Sequence, residues 1–288
     1  MKNLKDKKFL ISGANGQLGK EFSRFFSLEQ INYYSPDESV FDITDKEKTD
    51  KIISNYKPDY LLNCAAYNLV DNAEDDTALA FKINSDAPGL LAEKCKEKGI
   101  FLVHYSSDYV FDGTKGAPYS EKDSPNPLNV YGQSKLKGEK VIQEKLDDHL
   151  IFRMSWVIGP GQQNFLYKLS QWAQKNKELN ISDDEISVPT FSADIVNLTL
   201  LSLGHNLRGL YHLVSSGYAS RYELAKYYIE KTGLDTVVNP VSITTFNTKA
   251  QRPKFSAMSN KKLSDELRIT IASWEESLDK YCKDNINE

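Results

Sequence analysis

Tyr131 and Lys135 stand four residues apart in the run Tyr131-Gly-Gln-Ser-Lys135. On a helix that spacing places both on one face. A tyrosine hydroxyl has a pKa of about 10, and a neighbouring ammonium stabilises the phenolate and lowers it. The pair could therefore move a proton at neutral pH. A Tyr-x-x-x-Lys pair is common by chance, so it needs companions. One is Ser107, at the end of the apolar run that leads into His104-Tyr-Ser-Ser107. Open parallel sheets bind ligands at such strand ends, and a hydroxyl there can hydrogen-bond a substrate carbonyl. The other is Gly13-Ala-Asn-Gly16-Gln-Leu-Gly19, directly after Phe9-Leu-Ile-Ser12. Glycines at this spacing let the backbone turn sharply and approach a pyrophosphate, while the next helix offers free N–H groups. A glycine-rich turn with no ligand is the bland alternative. Its place on the first strand-to-helix turn favours a dinucleotide site.

The elements that must hold these residues follow an alternating rhythm. Phe9–Ser12, Tyr60–Asn63, Ile100–Ser106 and Leu150–Met154 read as strands. Leu18–Phe26, Thr77–Lys98 and Tyr131–Leu146 read as helices between them. Strands separated by helices predict an α/β chain with a Rossmann-type, doubly wound parallel sheet. Gln30–Ser35 reads as the second strand, Gly99 as a helix C-cap, and Pro88 as a break unless it opens a new segment. Gly113–Asn129 reads as a long loop.

Beyond residue 160 the rhythm loosens. Asn164–Lys177 and Ala193–Gly204 look helical, with strands at Glu178–Ser182 and Leu210–Val214, and Ser220 with Glu223 forms a capping box. The expected organisation is a dinucleotide-binding domain over 1–160, with 190–216 returning to it. Residues 161–189 and 217–288 would form a smaller α/β C-terminal substrate domain.

Composition narrows the function classes. The 288 residues are 40% hydrophobic with a net charge of -4, which leaves no basic footprint for nucleic acid. No apolar stretch reaches roughly 18 residues, so no membrane span is expected. The run after the charged N-terminus is too short for a signal peptide. Cys64, Cys95 and Cys282 lack metal or disulfide spacing; Cys64 and Cys95 read as buried, in a reducing cytoplasm. The four histidines show no metal spacing, and His104 reads as a satisfied core residue. Lys280–Glu288 reads as a solvated terminus.

At this point the chain resembles the dTDP-4-dehydrorhamnose reductase family, a branch of the extended short-chain dehydrogenases. The resemblance is carried by Gly13–Gly19, Lys57–Tyr67, Val70–Glu74, Asn84–Pro88, His104–Gly113, Pro127–Glu139, Arg153–Val157, Gly209–His212 and Arg252-Pro253. It covers nearly the whole chain, and the central block is its most specific part. It implies an NADPH- or NADH-dependent reduction of the 4-keto group of a nucleotide-activated deoxysugar, dTDP-4-dehydro-L-rhamnose to dTDP-L-rhamnose. It further implies that Gly16, Gln17 and Leu18 wrap the pyrophosphate, with Gly13 and Gly19 in the same cofactor-binding turn. Asp42 and Ile43 would flank the adenosine, and Ala65, Ala66 and Tyr67 would border the cofactor. Tyr131 would donate the proton and Lys135 would bind the nicotinamide ribose. Ser107, where the family often has Thr, keeps the hydroxyl. Asp108 and Trp156 match substrate-contacting positions. Neither an acidic residue nor an arginine is plainly placed to choose NAD over NADP. Glu21 matches a position that some relatives use for magnesium at a dimer contact; a solvated helix face is expected here, with no metal, and a homodimer stays open.

Two departures bear on the substrate. The family's Asp-Gln-x-Gly-x-Pro-Thr reads Asp184-Glu-Ile-Ser-Val-Pro-Thr190 here, and its Ser/Thr-Trp-Tyr reads Ser220-Arg221-Tyr222. Glu185 adds a charge near the expected place of an anionic nucleotide sugar and removes an amide donor. Reduction of a different nucleotide sugar therefore stays open. So do an epimerase or dehydratase on the same fold and a non-catalytic regulatory subunit. Asp108-Tyr109 after Ser107 disfavours a dehydratase, which carries Asp-Glu there, and the intact Ser107, Tyr131 and Lys135 disfavour the regulatory subunit.

Overall fold

The computed structural model describes residues 4–285. In chain order the elements are β1 (Phe9–Ser12), α1 (Gln17–Glu29), β2 (Tyr33–Tyr34), α2 (Lys46–Tyr56), β3 (Tyr60–Asn63), α3 (Val70–Asp75) and α4 (Thr77–Phe81). A π-turn (Lys82–Asp86) leads into α5 (Ala87–Lys98), β4 (Phe101–Ser107), α6 (Val130–Lys145), β5 (His149–Met154), β6 (Val157–Ile158) and α7 (Phe165–Ala173). Then come β7 (Glu178–Ser182), β8 (Ile186–Ser187), β9 (Thr190–Phe191), α8 (Ser192–Gly204), β10 (Gly209–His212) and β11 (Ala219–Ser220). The chain ends with α9 (Arg221–Thr232), β12 (Val237–Val241), α10 (Lys261–Leu267) and α11 (Trp274–Asn285).

Six strands form one parallel sheet in the order β10-β5-β4-β3-β1-β2. Its interior strands are buried on both faces, so they read as apolar runs. One face packs Phe22, Phe26, Ile195 and Leu203 against Phe9, Leu62 and Phe152. The other packs Ile53, Leu91 and Ile142 against Leu10, Leu61 and Ile151. The chain leaves β1 for β2 on one side and returns to β3 on the other. A crevice therefore opens above β1 and β3, where such sheets take ligands. A separate apolar cluster joins α7, α9 and α11 through Leu166, Leu169, Leu224, Ile229 and Leu278. Tyr222, Tyr227 and Tyr228 pack against it. Among the described residues no helix is long and apolar enough to cross a membrane.

Several expectations need correction. The second strand spans two residues rather than six, because α1 runs on to Glu29 and Gln30 turns into the left-handed region at φ 56° to cap it. The helix expected over Thr77–Lys98 is divided. Pro88 lies in the first turn of α5 and cannot donate to the Asn84 carbonyl one turn back, so a π-turn absorbs the mismatch. Residues Lys280 to Asn285 continue α11, with Cys282 buried; 286–288 lie outside the described residues. Glu21 is buried rather than solvated. It pairs with Arg24 and accepts from Ser192 Oγ at 3.5 Å across α8.

Candidate active site

Helix α6 carries the proton-transfer pair. Asn129 caps it by accepting the Gly132 N–H at 2.8 Å, and Glu74 accepts the Val130 N–H at 2.9 Å. Close approach of α6 to the turn after β4 and to the π-turn before α5 depends on two glycines. A Cβ at Gly132 would lie 2.1 Å from the Tyr109 carbonyl oxygen, and one at Gly138 2.1 Å from that of Asn84. The second contact uses the carbonyl that Pro88 leaves free.

Lys135 is buried, and its ammonium donates to the Tyr105 carbonyl at 2.5 Å. Burial lowers its pKa to about 8, while Glu139 pulls the other way. Tyr131 is half-buried as a residue, but its hydroxyl is enclosed. Contrary to the expected lowering by Lys135, burial pushes it up to about 12, and it is the Ser107 hydroxyl that draws it down. The buried Ser107 hydroxyl donates to Asp108 Oδ1 at 3.0 Å and accepts the Tyr109 N–H at 3.1 Å. Asp108 Oδ2 accepts from Ser187 at 2.8 Å and Ser256 at 2.5 Å. Burial raises the Asp108 carboxyl to about 6 against these three hydroxyls.

Behind the pair lies a polar layer. Ser106 Oγ bonds Glu139, which also takes Arg153 as a buried bidentate partner at 3.0 and 2.7 Å. Across the sheet, Ser12 Oγ donates to Asn63 Oδ1 at 2.7 Å, and the Asn63 amide donates to His104 Nδ1 at 3.0 Å. Burial and the Lys135 charge hold His104 neutral; because Nδ1 accepts from Asn63, Nε2 carries the proton and meets no acceptor among the described residues. His104 is thus a core histidine only half satisfied. Asn84, on the π-turn, pairs with both backbone groups of Tyr67 at 2.9 Å and donates to Ser134 at 3.0 Å. That ties the segment after β3 to α6.

The glycine turn is built as its spacing predicts. Gly13 sits at φ 69°, and a Cβ there would lie 2.6 Å from Ala65 N. At Gly19 a Cβ would lie 2.3 Å from the Gly13 carbonyl oxygen. Gly16 caps α1 without a side-chain bond, so the first-turn N–H groups are open to an anion.

These features share one cavity of about 1060 Å³. Its wall holds Gly13, Gly16, Gln17, Leu18, Asp42, Ile43, Ala65, Ala66, Ser107, Asp108, Tyr131, Lys135 and Trp156. Gly19 and Tyr67 are not in the wall; Gly19 packs under the turn, and Tyr67 is held by Asn84. Cys64 is half-buried and lines the cavity, contrary to the fully buried expectation. Glu38 and Asp42 are the charged wall residues beside Phe41, Ile43 and Thr44, which leaves the expected adenosine side without an arginine. Glu185, expected to face the substrate, lies outside the wall. It accepts from Tyr109 Oη at 3.5 Å and sits 3.8 Å from Arg221. Among the described residues no cluster of three or more His, Cys, Asp or Glu could hold a metal ion.

Sequence reading missed Asn84, Glu38 and the aromatic wall of Phe165 and Trp172. Asn84 had a signal, a matched motif next to Pro88. Phe165 and Trp172 are spaced as one face of α7, which reads equally well as core.

Comparison with known proteins fits this geometry. Residues 7–286 match the family described as RmlD substrate binding domain. A dTDP-4-dehydrorhamnose reductase of Burkholderia thailandensis is 35% identical, over 93% of this chain and 95% of its own. The spore coat polysaccharide biosynthesis protein SpsK of Bacillus subtilis is 33% identical, over 96% and 97%. The crystal structure of a Bacillus anthracis dTDP-4-dehydrorhamnose reductase in complex with NADP superposes with a TM-score of 0.94 at 32% identity, covering 97% of this chain and 99% of that one. With its glycine turn, its Ser-Tyr-Lys constellation and this match along nearly its full length, the chain belongs to the dTDP-4-dehydrorhamnose reductase family of extended short-chain dehydrogenases.

Proposed function

We propose that this chain reduces the 4-keto group of a nucleotide-activated deoxysugar with NADPH or NADH, taking dTDP-4-dehydro-L-rhamnose to dTDP-L-rhamnose. The observation that carries the reading is that Ser107, Tyr131 and Lys135 line the same cavity as the glycine turn. The names of the Burkholderia relative and the NADP complex from Bacillus anthracis support it. The glycine turn fits a dinucleotide because Gly16, in the cavity wall, leaves the first-turn N–H groups of α1 without a side-chain cap, where a pyrophosphate can accept from them.

A nicotinamide cofactor, which the glycine turn and Lys135 would hold in the cavity, would supply the hydride to C4. The Tyr131 hydroxyl donates its proton to the oxygen that gains charge at C4. Ser107 hydrogen-bonds the same oxygen after its hydroxyl turns away from Asp108. Lys135, buried and cationic below pH about 8, favours the phenolate that Tyr131 leaves behind. The sheet half holds the cofactor, and 161–189 with 217–288 holds the substrate. The three free thiols fit a reducing cytoplasm.

The test mixes the protein with NADPH, then NADH, and dTDP-4-dehydro-L-rhamnose, and follows reduced-nicotinamide absorbance. Oxidation that requires the sugar supports the reading. Silence with this sugar and activity with another nucleotide sugar would move the substrate. Silence with every keto sugar nucleotide would leave the non-catalytic alternative.

A further inference from the structure

On the α7 and α9 side the cavity wall contains Trp156, Phe165, Lys168, Trp172 and Arg221. Lys168, like Lys82 elsewhere in the wall, is exposed. Arg221 is different, because its position is fixed from three directions. The antiparallel register Ser220↔Ile186 brings Arg221 opposite Glu185. Its backbone N–H donates to the Glu185 carbonyl at 3.2 Å, and its Nη2 lies 3.8 Å from Glu185 Oε1. Its guanidinium carbon stacks 3.6 Å over the Trp156 ring and stands 5.0 Å from that of Phe165.

Glu185 is buried and needs a countercharge, which Arg221 supplies. Long contact to one carboxylate oxygen leaves most of the five guanidinium N–H donors unused, and the side chain keeps 21% exposure toward the cavity it lines. The Trp156 beneath it is held at φ 38°, a conformation costly for a bulky residue, and its buried indole N–H has no acceptor among the described residues. Strain of this kind persists where the surroundings over-determine it, and it gathers at ligand clamps. The same Glu185 oxygen accepts from Tyr109 Oη at 3.5 Å, which joins Arg221 to the segment that follows Ser107 and Asp108.

We propose that Arg221, laid on Trp156 and anchored by Glu185, grips the sugar-linked phosphate of the substrate's diphosphate and so helps to select nucleotide sugars. A planar guanidinium with open edges is the fitting partner for a phosphate. The inference rests on the reductase reading for its substrate class. It also gives the two departures at 185 and 221 one explanation: the added carboxylate and the added guanidinium belong together.

The test compares the wild type with Arg221→Gln and Arg221→Lys. Binding of dTDP and dTMP is measured by calorimetry, which needs no turnover. Arg221→Gln should weaken dTDP about ten- to hundredfold, the range for a lost charged hydrogen bond, and dTMP less than about threefold. NADPH affinity reports that the fold survives. With the keto sugar, most of the loss in kcat/KM should lie in KM, and Arg221→Lys should recover part of it. Equal losses for dTDP and dTMP, or no loss for either, overturn the proposal. If the wild type binds dTDP but oxidises no NADPH with any keto sugar, the reductase reading fails, and the dTDP-to-dTMP ratio still decides Arg221. If the wild type binds neither dTDP nor UDP, both fail.

Discussion

Lys135 donates to the main-chain carbonyl of Tyr105, 2.5 Å away, from one helical turn beyond Tyr131. Tyr105 lies on β4, two residues before Ser107, so one strand positions both the hydroxyl and the ammonium. The ammonium is thereby fixed to the sheet, where its charge also acts on His104. Burial moves the two titrating groups apart, the phenol upward and the ammonium downward.

A pH limb follows. In the free enzyme kcat/KM should fall as pH rises through about 8, where Lys135 loses its proton. The stability sign is separate. The native value lies below the ordinary 10.5, so between about 8 and 10.5 the unfolded chain binds more protons and Lys135 makes stability rise with pH. Lys135→Met should remove both effects. A kcat/KM profile that stays flat from pH 7 to about 10 would contradict the first.

Tyr131→Phe should lower turnover at least about a hundredfold, the lower range for a lost general acid. NADPH affinity should hold. Steady-state assay beside nicotinamide fluorescence checks both; unchanged turnover removes Tyr131 from the chemistry.

Ser256→Ala should destabilise the fold by about 1.5–3 kcal/mol at pH 7, the range for a hydrogen bond to a charged group. It takes one of three hydroxyls from the buried Asp108 carboxylate. The native Asp108 value of about 6 lies above the ordinary 3.8, so the native state binds more protons between them and Asp108 makes stability fall as pH rises through that window. The cost of Ser256→Ala should therefore shrink below pH 6. Urea titrations at pH 5 and 7 measure it, and equal losses at both would place the effect elsewhere.

Glu139→Gln should cost about 3–5 kcal/mol, as for one partner lost from a buried ion pair. Arg153 would be left charged beneath the catalytic strand. Arg153→Lys alone should also lose stability, because an ammonium cannot reproduce the bidentate contact with Glu139. The denaturant midpoint reports both; a loss under about 1 kcal/mol would show that the pair relaxes freely.

Gly19→Ala should weaken NADPH binding at least about tenfold although Gly19 does not line the cavity. Its methyl group would press on the Gly13 carbonyl at 2.3 Å and displace the turn; overpacking of this kind costs about 1–3 kcal/mol. Calorimetry with NADPH gives the answer, and wild-type affinity would mean that the turn accommodates the methyl.

Local spacing by itself determined much of this protein. The parallel sheet, the glycine turn, the Ser220 capping box and the Tyr131–Lys135 face each depend on residues close in the chain, where helix and strand periodicity constrain the backbone directly. Tertiary structure alone decided the partners. Asp108 meets Ser187 and Ser256, Glu21 is buried against Ser192, Arg252 pairs with Asp71, and Arg221 with Glu185. Each of these pairs spans dozens of residues or more. Periodicity says which face is buried, but not which distant side chain waits there to neutralise or hydrogen-bond a polar group once water is excluded.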